Sequence, residues 1–161
     1  MKKQMRYVIV LACLIIIGSM AFAGSVAAKS DLPFWGTIDE ASETHEVIFP
    51  HFYVNGNGSG TATHLGLFTY SFQATVLLPD RIGEGASAHF IAANGDDLYA
   101  EGYVMGVPSG IPDVNLVTEH FTITGGTGRF DGATGSLVVE RLVNTVTLES
   151  SGEFSGVITL P

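Results

Sequence analysis

The sequence predicts an all-β domain of about eight antiparallel strands. Three observations predict it. From Phe34 onward apolar and polar residues alternate with a period of two. Glycine or proline interrupts the alternation about every ten positions, the spacing of turns between short strands. No stretch shows an apolar stripe at helical spacing, and no fixed-period repeat or low-complexity tail is present.

The 161 residues suit one domain. The first 28 read as a secretory signal peptide: Lys2, Lys3 and Arg6, an apolar run from Val8 to Ile17, then small residues. Cleavage after Ala23 or after Ala28 fits the small-x-small rule, and Ala28 is preferred. The apolar run is short for a spanning helix. The only cysteine, Cys13, lies in this segment; "VLAC" is a poor lipidation box, because "LIII" follows it. Residues 29–161 then form the domain, without a cysteine and so without a disulfide. The expected location is secreted or periplasmic, with no membrane insertion after cleavage.

The predicted mature chain carries sixteen acidic residues against Lys29, Arg81, Arg129 and Arg141, a net charge of −12 with histidines neutral. Such a surface repels nucleic acid and anionic lipid.

The elements read as follows. Phe34 to Glu43 and Glu46 to Val54 are strands, the second broken by Pro50. "NGNGSG", Asn55 to Gly60, reads as a loop. Thr61 to Leu78 is a long alternating strand bent at Gly66. Its face of Ala62, His64, Phe68, Tyr70 and Phe72 points inward. Ala86 to Ala93 and Asp97 to Met105 form a hairpin across Asn94-Gly95, a type I′ signal with both residues at positive φ. "GVPSGIPDVN" is a long loop. Leu116 to Thr124 places Glu119 on one face with Val117, Phe121 and Ile123. Leu137 to Glu149 and Glu153 to Leu160 close the chain.

"ITGGTGRFDGATGSL", Ile123 to Leu137, is the densest glycine stretch. A phosphate-binding loop needs a helix start behind it. Here "SLVVERLVNTVTLES" follows, β-branched and alternating, and no Gly-Lys-Ser/Thr is present. The glycines therefore permit positive φ and close backbone approach, while Phe130 plugs the core.

These residues carry a resemblance. "GGTGRFDGATGSL" resembles the glycine signature of the allene oxide cyclase and dirigent-protein barrels. "GTATHLGLFTY" and "AANGDDLYAEG" resemble small secreted bacterial proteins that share that domain. The resemblance covers most of Gly58 to Leu160. It implies an antiparallel eight-stranded barrel, lipocalin-like in shape, which is either filled by side chains or holds one small ligand. The plant enzymes act on fatty-acid epoxides or steer the coupling of phenolic radicals. Their catalytic residues lie outside the glycine motif and are not matched position by position by the resemblance, so the motif implies a fold rather than an activity.

No known catalytic or metal motif is present. "GASAH" (Ser87, His89) lacks the strand-to-helix elbow that exposes a nucleophile. His45, His51, His64, His89 and His120 show no metal-ligand spacing. "NGDD" lacks the spacing of a calcium loop. No catalytic residue, metal or cofactor is expected, and Arg129 is expected in a structural ion pair.

Polar groups on inward faces remain. His64, Phe68, Tyr70 and Glu119 are the candidate ligand-binding residues. A buried carboxyl must pair or shift its pKa, so His64 and Glu119 admit a structural reading and a pocket reading alike. The leading expectation is a non-catalytic barrel holding a small, largely apolar ligand. One alternative is an isomerase or cyclase on a small hydrophobic substrate, with Glu119 and His64 as acid and base. Another is an oligomeric surface protein. A lined cavity favours the first two; a barrel filled by Phe and Leu favours the third.

Overall fold

The computed structural model describes residues 30–78 and 80–161; the predicted signal segment lies outside them. Eight antiparallel strands close into a barrel in chain order, each paired with its neighbours and the last with the first. They are β1 (Asp31–Ile48), β2 (His51–Ala62), β3 (Gly66–Leu77), β4 (Ile82–Ile91), β5 (Asp97–Pro108), β6 (Val114–Gly126), β7 (Thr134–Asn144) and β8 (Glu149–Thr159). Closure removes both sheet edges, and with them the exposed rows of unpaired backbone groups.

Several sequence boundaries move; the expected strand Leu137 to Glu149 ends at Asn144, where the Asn144 side chain accepts from the Val146 and Thr147 N–H groups and turns the chain, so Glu149 already belongs to the last strand. The first strand continues through Thr44 and His45 to Ile48, and the turn is Phe49-Pro50, with Ile48 facing His51. Proline has no N–H for the ladder, so the chain reverses there.

"NGNGSG" is not a loop but the centre of β2. Gly56, Gly58 and Gly60 alternate on its inward face, in register with Phe72, Tyr70 and Phe68 of β3. A Cβ on Gly58 would stand 2.7 Å from the Tyr70 ring, and one on Gly60 2.9 Å from the Phe68 ring. The glycines supply the room that the aromatic side chains occupy.

The predicted strand Thr61 to Leu78 is two strands. Thr63, His64 and Leu65 form the turn between β2 and β3, with His64 at φ 63°. The turn keeps the parity of the pattern, so alternation alone does not reveal it.

The Asn94-Gly95 hairpin forms, but not as a type I′ turn. Gly95 has a positive φ and Asn94 does not. The Gly95 N–H bonds to Ala92 and the Ala92 N–H to Asp96, so the loop spans residues 92–96. This is the wider loop in which one residue takes the left-handed conformation.

The glycine stretch behaves as expected. β6 ends at Gly126, a 3-10 turn runs from Gly128 to Phe130, and Phe130 is fully buried. Gly125, Gly128, Gly132 and Gly135 have positive φ. Gly126, Gly128 and Gly135 are also points of close approach; at Gly128 the Asp96 carboxylate occupies the space a Cβ would take. Arg129 forms a different contact from the ion pair expected. Its backbone N–H donates to Asp96, 3.1 Å, and its guanidinium lies 4.9 Å from the Phe130 ring centre.

The barrel has two unlike ends. One carries the turns at 63–65, 92–96 and 127–133. Leu65, Phe130, Ala92 and Ala133 are buried there over Phe34, Phe90, Leu98 and Ile158. The turns bond to one another: Ala93 N–H to Leu65, Thr127 N–H to Asp97, and Asp97 N–H to the Thr127 hydroxyl. This end is closed. The other carries the turns at 49–50, 78–81, 109–113 and 145–148, and it is open.

Candidate functional site

Inside the open end lies a cavity of about 360 Å³. Its walls are Phe52 and Val54 of β2, Ala74 and Val76 of β3, Val104 of β5, Val117 of β6 and Val143 of β7. Each is an inward position of an alternating strand, and all but Phe52 are medium-sized or small. The large aromatics, Phe34, Phe68, Phe90 and Phe154, pack edge to face in the closed half. The split between a filled and a hollow half follows from which inward positions carry large rings.

The floor of the cavity is charged. Arg141 of β7 is almost fully buried, as are Glu43 of β1 and Glu119 of β6. Arg141 Nη1 donates to Glu43 Oε1 at 2.6 Å and to Ser150 Oγ at 2.7 Å; Nη2 donates to Glu119 Oε1 at 2.6 Å. His45 Nε2 donates to Glu43 Oε2, 2.9 Å, from the mouth side. Charge-assisted bonds this short are the strong ones. Gly152 of β8 faces Arg141 in register, and a Cβ there would lie 3.0 Å from Arg141 Cγ. An inward glycine thus admits the long side chain.

Beneath the floor the guanidinium sits 4.5 Å from the centre of the Phe72 ring. Phe72 stacks on Tyr70, and Tyr70 on Phe90. A column therefore runs from the ion cluster into the packed half. Burial would lower the pKa of Arg141, but Glu119 and Glu43 outweigh it and hold the guanidinium charged. Burial drives the Tyr70 phenol far above its ordinary value; Arg141 opposes the shift, and Glu119 and Glu43 reinforce it. Tyr70 stays neutral. Its hydroxyl and Arg141 Nε are buried with no hydrogen-bond partner among the described residues.

The four residues singled out from the sequence separate in space. Glu119 lines the cavity, as an inward carboxyl should. Tyr70 and Phe68 point inward but lie in the core, outside the cavity lining. His64 is not on a strand face. It sits in the closed-end turn and donates from Nε2 to the Pro33 carbonyl, 3.2 Å. His64 and Glu119 therefore cannot act as one acid–base pair.

Arg141, Glu43 and His45 escaped the sequence reading. Arg141 had a signal: it shares the inward face of β7 with Val139 and Val143, as Glu119 does with Phe121. Glu43 had none. The register of β1 shifts between Ile38 and Ala41, so Ile38, Ala41 and Glu43 face inward together. Strict alternation from Ile38 would turn Glu43 outward.

No protein-family model, curated protein or solved structure matches this chain.

Proposed function

We propose that the mature chain is an exported barrel that holds a small, largely apolar ligand in its open half. The observation that carries this is the cavity: apolar walls, one charged floor, and a single open end. Small-molecule sites have this character, with mostly apolar lining and a few placed polar groups. The mouth supports it too. Phe49, Ile111 and Val146, one from each of three mouth turns, are exposed apolar residues around the opening. The resemblance to the allene oxide cyclase and dirigent barrels agrees with a ligand inside such a barrel. Glu43 and Glu119 are both engaged by Arg141, which supports holding a ligand rather than turning it over.

Native mass spectrometry of protein purified from its exported fraction tests this. The expected result is a mass excess that disappears on denaturation. A bare mass, together with no uptake of added decanol, would overturn the proposal. The same spectra locate the cleavage site.

A further inference from the structure

We infer that the cavity selects ligands whose buried head is a hydrogen-bond donor, preferably a cation such as an alkylammonium, and discriminates against carboxylates. The inference rests on the ligand-holding role proposed above and specifies its chemistry.

The floor combines a free carboxylate oxygen with two carboxylates on one guanidinium. Arg141 Nη1 spends both of its N–H groups on Glu43 and Ser150, Nη2 spends one of its two on Glu119, and Nε is buried in protein without a partner among the described residues. Glu43 uses both oxygens, one on Arg141 and one on His45. Glu119 uses only Oε1; Oε2 accepts no hydrogen bond among the described residues, although the carboxylate lines the cavity. The floor therefore offers an incoming head the free carboxylate oxygen of Glu119, beside one remaining N–H of Arg141 Nη2.

Charge points the same way. The floor sets two carboxylates against the one permanent cation of Arg141. A carboxylate head would add a third negative charge in a site where apolar walls weaken screening. An ammonium head would balance the second carboxylate and donate to Glu119 Oε2. Among the described residues, the other cation in the lining is Arg81, in the exposed turn 78–81 at the mouth. Solvent screens it. A carboxylate anchored there would lay its apolar tail against the ion cluster and bury Glu119 Oε2 without a donor, which is costly.

Decylamine, decanol and decanoate share one tail and differ in the head. Each is titrated calorimetrically into the purified protein at neutral pH, below micelle formation. Decylamine should bind about tenfold or more tighter than decanoate, with decanol between them. Glu119→Gln should bring decylamine close to decanol by weakening decylamine far more than decanol, and the decanol binding that remains reports an intact cavity. Decanoate binding as tightly as decylamine would overturn the inference, while the ligand-holding role stands. A decylamine preference that survives in Glu119→Gln would overturn the role of Glu119. Failure of all three to bind would remove the ligand-holding role itself. Should Glu119→Gln not fold, the ranking in the unsubstituted protein still decides between donor and carboxylate.

Discussion

Arg141 is the residue on which the cavity floor depends. It is the single cation between two buried carboxylates, and each of those is buried because it is paired. Arg141→Met would leave Glu43 and Glu119 facing one another without a counter-charge. Removing one partner of a buried ion pair costs about 3–5 kcal/mol. Urea unfolding should show a loss of that size. The combined change Arg141→Met with Glu43→Gln and Glu119→Gln should recover a large part of it, because no charge is then stranded. Equal losses in the single and the combined variant would mean that side-chain packing on Phe72, rather than charge, holds the floor. At this scale the sequence was half legible. Glu119 announced itself by its apolar neighbours on an alternating strand, and Arg141 carried the same signal. Glu43 did not, because a bulge shifts the parity of β1. His64 was misread because a turn that preserves parity looks like continuous strand.

At the scale of elements, β2 and β3 form one unit of complementary shape. Glycines at 56, 58 and 60 face rings at 72, 70 and 68. Gly58→Val should therefore push Tyr70 off its stack and destabilise the barrel by roughly 1–3 kcal/mol, the usual cost of overpacking. Asn57→Val, on the outward face of the same strand, should change stability by less than about 0.5 kcal/mol. Thermal unfolding of the two variants compares them directly. By composition these glycines suggest a loop; by period, G-x-G-x-G is also what a strand carries when aromatic rings lie across it.

The closing turns form a second unit. Asp97 is held below the ordinary carboxylate value of 3.8, first by its bond to His89 and also by Thr127. Asp96 is lowered as well, by the Arg129 backbone N–H and by Asn94. A carboxyl with a depressed folded pKa stabilises fully above its unfolded value and loses that contribution as pH falls through the folded one. The closed end should therefore loosen as pH drops below 3.8. Amide exchange at residues 92–97 and 127–130 should rise there before it rises in the mouth strands. Uniform acceleration across the barrel would contradict local control by these two aspartates.

For the whole molecule, the central fact is asymmetry. One sequence pattern, alternation with closure, builds all eight strands, and it was readable. Which half is full depends on where the large rings fall along those strands. That placement is a matter of register, and register depends on turns and bulges that composition does not mark. The result is a closed half that supplies stability and an open half that leaves room for a ligand.

The most direct test is methyl NMR of the isotope-labelled protein titrated with decanol. Binding in the open half predicts shifts at Val54, Val76, Val104, Val117 and Val143, with Leu98, Ile123 and Ile158 of the packed half unmoved. Shifts confined to outward residues such as Leu67 or Val157, or no saturable shifts at all, would contradict a ligand site inside the barrel.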